Sequence, residues 1–539
     1  MRRLALLLLF SFSVLAQPLP FRASAIRAHL KYLSSDLLEG RGPGTRGDAL
    51  AQNYIAAQLE AMGLAPAGDN GTYFQKVSLI GMTMDPARST LRFGNMPALA
   101  ARDQYVGGNQ TQEESVTLDS DVIFVGHGVV APEYQWDDYK GIDTRGKTLV
   151  MLVDDPPATE KEPDLFKGRA RTYYGRWTYK FETGAAKGAQ AVILIHTDPA
   201  AGYGWQVPRN SWTGEQAYVK NPAGKHALSF AGWVTSAAAR DIFKAAGQDL
   251  DALTQAAHSR DFKPVPLGMK LQGTIASTIR PFDTANVVAK LEGSDAKLKN
   301  EAVLYSAHHD HLGIGLPDPN DPTDTIYNGA IDNASGVATI LEIARVWSET
   351  KPRPKRSILF AFVAAEEQGL LGSQFLGEHP PIPAGKIALG INLDALNLFG
   401  RTKSVTMIGI DRMDFFPAAQ EVTKAMKLTI VPDQAPEQGS YYRSDHFSMA
   451  KAGVPAFSIK QGLEIVGKPD EYGHTMSDEY RQKHYHQPSD EYDASWDFDS
   501  AVQVAELAFR LGWQAAQSAK MPMWLAGEEF YGKTANVRR

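Results

Sequence analysis

Residues 302–367 constrain what this chain can fold into more than any other stretch. They read as a strand, AVLYSA, that delivers His308-His309-Asp310-His311, then a polar loop ending at Asp332, a helix with Val337, Ile340, Leu341, Ala344 and Trp347 on one face, a second strand, SILFAFVA, and Glu366-Glu367. This is a βαβ unit in which each strand runs into residue types that bind metal ions. Ligands of open α/β sheets sit outside the carboxyl ends of the strands, so His308, Glu366 and Glu367 can converge on one crevice across a long stretch of sequence. Imidazoles and carboxylates gathered in that way point to hydrolysis by metal-activated water.

A chain of 539 residues exceeds one ordinary domain, so two domains and a large core are expected. The formal net charge of -6 gives no basic field for nucleic acid. The absence of cysteine excludes disulfides, thiolate metal ligands and a lipidated cysteine. At residues 1–16, Arg2-Arg3, the apolar run from Leu4 to Leu9, and Val14-Leu15-Ala16 read as a signal peptide cleaved after Ala16, which predicts a periplasmic or secreted protein. The apolar run is short of the roughly 20 residues that a spanning helix needs, so no stable membrane anchor is expected. The oligomeric state is not legible.

Residues 17–120 are read as the N-terminal part of a catalytic domain. They hold two helices, around AIRAHLKYL and DALAQNYIAAQLEAMG, joined by Glu39-Gly40-Arg41-Gly42-Pro43-Gly44-Thr45. No strand precedes these glycines and no GK[ST] follows, so they read as a tight connection and not as a phosphate loop. From 121 to 272 the texture changes to short strands, VIFVGHGVV, KTLVMLVDD and AVILIHTD, with a helix near Phe181 to Gly188, as expected of an inserted β-rich module. Tyr173, Tyr174, Trp177 and Trp205 could line a substrate surface there, although packing inside the module is the favoured reading. Residues 273–520 then alternate strands (ANVVAKLEG, IALGINLDAL, SVTMIGI, GVPAFSI) with helices, which predicts a three-layer α/β/α domain on a mainly parallel mixed sheet. The tail, 521–539, carries no readable signal.

The specific signal is an ordered set: His308-x-Asp310, Asp332 in NGAIDNASG, Glu366-Glu367 after a strand, Asp394 in INLDALN and His486 in YHQPSDEYD. A competing HxHxDH metal motif of the metallo-β-lactamase type fits His308, Asp310 and His311 but meets Ser306 where its first histidine belongs. The whole set resembles the M28 family of zinc aminopeptidases, over about residues 24 to 515. The pattern GKTLVMLV…FETGAAKGAQAVILIH is similar to a protease-associated (PA) domain inserted in such enzymes.

The resemblance implies two zinc ions per chain with His308, Asp332, Glu367, Asp394 and His486 as ligands and Glu366 as general base. Asp332 would bridge, with His308 and Asp394 on one ion and Glu367 and His486 on the other. It further implies a cis peptide at Asp332-Asn333, a role for Asp310 in accepting the free ring N–H of His308, and Tyr441 as an oxyanion donor, with adjacent Tyr442 as its alternative. His309, His311 and His446 read as wall or packing residues. The expected activity is release of N-terminal residues from peptides, with carboxypeptidase or dipeptidase action on the same site as the alternative. A one-zinc glutaminyl cyclase and a receptor-like binding protein that has lost its ligands fit less well, because the complete ligand set and the base are present. The module at 121–272 contributes no ligand and is expected to restrict access to the cleft.

Overall fold

A computed structural model describes residues 21–220, 226–318 and 321–539; the signal sequence read at residues 1–16 lies outside them. Helices α1 (Ala23–Leu33) and α2 (Arg46–Ala61) open the described chain, and Thr45 caps α2 by accepting from the Asp48 N–H. Between them Glu39, Gly40 and Arg41 all take left-handed φ values, of 50°, 67° and 51°. A Cβ at Gly40 would fall 2.5 Å from the Gly313 carbonyl oxygen and 2.6 Å from that of Tyr327, so glycine lets this turn close against the loop that follows His308.

Strand β1 (Phe74–Met84) starts the catalytic sheet, and the chain then leaves it. The second unit uses β2 (Thr90–Phe93), β3 (Tyr105–Gly108), β4 (Ser115–Phe124), β5 (Thr148–Leu152), helix α3 (Trp177–Ala186), β6 (Ala191–His196), β7 (Gln216–Val219) and β8 (Phe230–Thr235). Here β4, β5, β6 and β8 lie side by side and parallel, with β3 antiparallel at one edge. Apolar layers cover both faces, Phe124, Ile193 and Phe243 on one and Leu149, Phe181 and Trp233 on the other.

Two strands of this sheet, β2 and β3, come from the stretch that the sequence assigned to the catalytic domain, and residue 121 falls inside β4. The four-residue strands β2 and β3 are too short to announce a boundary. Strand β9 (Val265–Leu291) is a single 27-residue strand that pairs with β4 through its first half and with β1 through its second, so it joins the two sheets without a break near residue 272. The module also returns one strand, β7, to the edge of the catalytic sheet, antiparallel to β1.

The rest of the catalytic domain comprises β10 (Ala302–His308), α4 (Ser335–Glu349), β11 (Ser357–Val363), α5 (Leu371–Glu378), β12 (Ile387–Leu393), β13 (Ser404–Ile408), α6 (His446–Lys451), β14 (Ala456–Gln461), α7 (Asp470–Lys483) and α8 (Asp499–Gln517). Its strand order is β13-β14-β12-β10-β11-β9-β1-β7, with the central four strands parallel. Every residue of β10, β11 and β12 is buried. Both faces of the sheet are covered, which is why these strands read as continuous apolar runs and not as alternating ones. Helices α4 and α8 pack Ile340, Trp347 and Phe509 against Val303, Tyr305 and Phe360 on one face. On the other, Leu376 of α5 and Met449 of α6 meet Leu304, Leu359 and Val363. Each such side chain contributes about 1.5–3 kcal/mol by leaving water. The three-layer α/β/α architecture is the one the alternation of elements predicts.

The tail belongs to this body. Trp524 is buried, and Arg412 reaches Glu528 at 2.7 Å and Glu529 at 2.6 Å.

Candidate metal centre

His308 is the last residue of β10, Glu366 and Glu367 follow β11, and Asp394 follows β12. Because β10 lies between β11 and β12 and runs parallel to both, these residues emerge together at the carboxyl ends of the central strands. Asp332 comes from the turn before α4, where the Asp332-Asn333 peptide is cis. Asn333 locks that turn: its amide donates to the Leu393 carbonyl at 3.0 Å, and its Oδ1 accepts from the Gly336 N–H at 3.0 Å and the Ala395 N–H at 3.2 Å. His486 arrives from the segment after α7.

The five side chains form two sets that share Asp332. His308 Nε2 lies 3.2 Å from Asp332 Oδ1 and 3.4 Å from Asp394 Oδ1. His486 Nε2 lies 3.2 Å from Asp332 Oδ2 and 3.2 Å from Glu367 Oε2. Four bonds of about 2.1 Å arranged tetrahedrally place donor atoms about 3.4 Å apart, so these spacings are those of ligands around one ion in each set. His486 Nε2 is buried against these two carboxylate oxygens, as suits donor atoms directed at one cation. The donor chemistry, one imidazole nitrogen and two carboxylate oxygens in each set, fits a divalent metal.

The electrostatics describe the same seats. Burial alone would lower both imidazoles, but Glu366, Asp332 and Asp394 hold His308 well above its usual range, and Glu367 and Asp332 do the same for His486. Conversely, burial acts to raise Asp332, and the two histidines overcome it and hold the carboxyl well below its ordinary value. The site is thus a well of negative potential that positive charge fills. Glu366 differs from the ligands. Burial pushes it well above the carboxylate range, and Glu367, Asp445 and Asp394 add to the effect against the opposing His308.

Two roles expected from sequence are corrected. The His308 Nδ1 faces the main-chain carbonyl of Asp310 at 3.2 Å, whereas the Asp310 carboxylate lies 3.8 Å away and instead accepts the Glu366 N–H at 3.1 Å and the Glu367 N–H at 3.4 Å. Asp310 therefore positions the Glu366-Glu367 loop, because a two-residue offset fixes proximity but not which oxygen turns toward the ring. Tyr441 points into the core, where its hydroxyl donates to the Ala456 carbonyl at 3.0 Å beneath the Arg412 guanidinium. Tyr442 donates to Glu529 at 2.7 Å. Their spacing from Asp445 gave no information on the direction of the tight turn that carries them.

A tyrosine ring beside the ligands is that of Tyr485, 43% exposed and stacked on His486 with ring centroids 4.0 Å apart. Its adjacency to the last ligand was the available signal. His311 is more than a wall residue, since its Nδ1 contacts Glu367 Oε1 at 2.6 Å and orients that ligand. His309 pairs with Asp48 at 3.0 Å, and His446 is buried without a hydrogen-bond partner, which pushes its pKa down to about 3.

Two further residues brace the site. Asp490 accepts the N–H groups of Ile331 and Asp332 at 3.0 and 3.1 Å and so fixes the bridging aspartate's backbone. Arg41, 1% exposed, donates to the carbonyls of Leu33, His309, Asn328 and Gly329, which ties the α1–α2 connection to the loops on either side of the ligands.

Two cavities meet at Glu366. One of about 490 Å³ is lined by His308, Asp332, Asp394, Arg443 and Tyr485 among others. The second, of about 370 Å³, adds Glu367 and takes a wall from the second unit through Tyr173, Arg176, Trp177 and Glu182. Tyr173 and Trp177 thus face a cavity. Tyr174 instead packs on Phe166 and Tyr179, and Trp205 packs on His196. Among the described residues, the groups able to hold a metal all lie in the catalytic domain.

Residues 286–511 match the profile of peptidase family M28. Among curated proteins, a probable zinc metalloprotease of Pyrenophora teres f. teres is 36% identical over 126 residues, 23% of this chain and 25% of its own length. A leucine aminopeptidase 1 of Grosmannia clavigera is 29% identical over 39% of this chain and 51% of its own. A probable lipoprotein aminopeptidase, LpqL, of Mycobacterium tuberculosis is 30% identical over 41% of this chain and 43% of its own. The chain thus spans between a quarter and about half the length of these relatives. Among solved structures, an aminopeptidase from Aneurinibacillus sp. superposes with a TM-score of 0.49 at 19% identity, covering 93% of this chain and 95% of that one.

Proposed function

From the premise that residues 286–511 form a peptidase domain of family M28, we propose that the protein is an exported two-zinc exopeptidase that removes N-terminal residues from peptides. The observation that carries the reading is Asp332, which offers one oxygen to each of two His/carboxylate sets, with Glu366 beside them on the wall of both cavities. A carboxylate divided in this way has no purpose around a single ion. Zinc suits the nitrogen and oxygen donors and is named for the Pyrenophora relative. Export rests on the signal sequence read at residues 1–16, and no described helix is long and apolar enough to cross a membrane.

His308 and Asp394 would hold one ion, His486 and Glu367 the other, and Asp332 both. When bound, the ions activate water and polarise the scissile carbonyl. The rest falls to the chain. Glu366, a carboxylate that burial makes more basic than usual, would take the proton of the attacking water and deliver it to the leaving amine, and the charge of bound cations would offset part of that upward shift. Asp310 keeps Glu366 in place through the backbone N–H it accepts. Tyr485, which lines both cavities and stacks on His486, would donate its hydroxyl to the developing oxyanion.

The test compares hydrolysis of an aminoacyl amide with that of its N-acetylated form and of a peptide blocked at the N-terminus but free at the C-terminus. The reading expects cleavage of the free-amine substrate alone. Cleavage of the N-blocked peptide from its C-terminus would replace it with a carboxypeptidase.

A further inference from the structure

The cavity shared by the two units contains a buried cation without a counter-charge. Arg176, which precedes α3, is 9% exposed, its Nε makes no hydrogen bond, and its guanidinium forms no ion pair among the described residues. Its charged neighbours make this worse, because burial and then the guanidiniums of Arg443 and Arg171 push its pKa down to about 9. Arg171 is satisfied elsewhere, by Asp154 at 3.1 Å and by the Ala200 carbonyl at 2.8 Å. Glu182, the acid that the second unit contributes to this cavity's wall among the described residues, is taken by Lys451 at 2.7 Å. Arg443 has no ion pair among the described residues either, and it lines both this cavity and the one that contains the metal ligands.

An uncompensated buried guanidinium is costly unless something arrives to pair with it, and its planar fork matches a carboxylate. Because Arg443 lines both cavities and Arg176 lines the one that also holds Glu366 and Glu367, a molecule anchored at the metal centre that extends into that cavity meets both guanidiniums. We propose that Arg176 and Arg443 together seat a carboxylate of the substrate, so that the protein favours short peptides bearing a negative charge beyond the residue held at the metals. This rests on the peptidase reading. The second unit then sets substrate choice by contributing one arginine, and not only by restricting access. The carboxylate can be the C-terminus of a short peptide or an acidic side chain, and the test separates the two.

The experiment measures kcat/KM of the metal-loaded protein on three tripeptides with a common N-terminal residue: neutral with a free C-terminus, neutral with an amidated C-terminus, and amidated with glutamate at the second position. A charge-assisted pair in a half-buried seat predicts that at least one charged peptide exceeds the neutral amide by about 10- to 100-fold. The free-acid arm reports a C-terminal seat and the glutamate arm a side-chain seat. Arg176→Gln and Arg443→Gln should each collapse that ratio toward one, mainly through KM. Arg443 is exposed, so its variant keeps the test intact if the Arg176 variant does not fold. Calorimetric binding of the same peptides to Glu366→Gln gives a readout independent of turnover and should show the same order. Equal kcat/KM for all three peptides, or a ratio unchanged in both arginine variants, overturns the seat and leaves the peptidase reading standing; no cleavage of any of them defeats both.

Discussion

Replacing Arg41 with methionine removes a cation from beneath the ligand loops while keeping an unbranched stem. The guanidinium donates to four carbonyls, of His309 at 2.8 Å, Leu33 at 2.5 Å, Asn328 at 2.6 Å and Gly329 at 3.0 Å. At ~1.5 kcal/mol for each charge-assisted bond, their loss costs ~6 kcal/mol. Against this stands relief of the guanidinium's burial penalty. Its pKa is pushed down to about 10, chiefly by burial, which corresponds to ~3 kcal/mol. The difference predicts a net destabilisation of about 3 kcal/mol, at the lower end of what removing one member of a buried polar pair costs. Urea unfolding at constant m value reads it directly. Arg41→Lys should fall between wild type and Arg41→Met, since an ammonium reaches fewer of the four carbonyls. A loss below about 1 kcal/mol for Arg41→Met would refute the reasoning that this residue ties the α1–α2 connection to the metal-binding loops.

Glu366→Gln should retain its metals and fold while turnover falls about 100- to 10,000-fold, because the amide cannot take a proton at neutral pH; near-normal turnover would remove Glu366 as the base. Tyr485→Phe should lower kcat by about 100-fold or more if its hydroxyl supports the oxyanion, whereas Tyr441→Phe should leave kcat near wild type and cost about 1 kcal/mol of stability through its lost bond to Ala456. The reverse pattern would restore Tyr441 to the site. His446 is buried with a pKa pushed from 6.5 to about 3, chiefly by burial, so the folded protein resists its protonation and the unfolded chain does not. The stability associated with the neutral ring is therefore full above pH 6.5 and is lost as pH falls toward 3. Relative to His446→Met, wild type should lose ~2 kcal/mol between pH 6.5 and 4.5 in denaturant melts of metal-free protein, and a pH-independent difference would contradict this.

The sequence revealed those parts of the site that the chain delivers by local rules. His308, Glu366-Glu367 and Asp394 stand at or just after apolar strand runs, and a parallel sheet brings such ends together whatever the separation along the chain. Asp332 could be read from its place before an amphipathic helix. What escaped depends on side-chain direction or on distant segments meeting. Arg41 sits in a glycine-rich turn whose only visible property was tightness, and its acceptors lie up to 288 residues away. The sequence pointed to Tyr441 or Tyr442 and passed over Tyr485, because only the path of the backbone shows which ring lies beside the ligands. The expected boundary at residue 272 falls inside β9, which belongs to both sheets, and a continuous strand offers no composition change to mark where one core ends. The tail is held by Trp524 and by the Arg412 ion pairs, a partner 112 residues upstream of Trp524 that no local pattern reveals.

The most direct test of the account is the number of metal ions per chain. Protein loaded with zinc, freed of loosely bound metal and analysed for metal and protein concentration should approach two ions per chain, with Asp332→Asn reducing the value because both sets depend on that carboxylate. A stoichiometry that stays at one under saturating zinc would contradict the shared-aspartate centre from which the proposed chemistry follows.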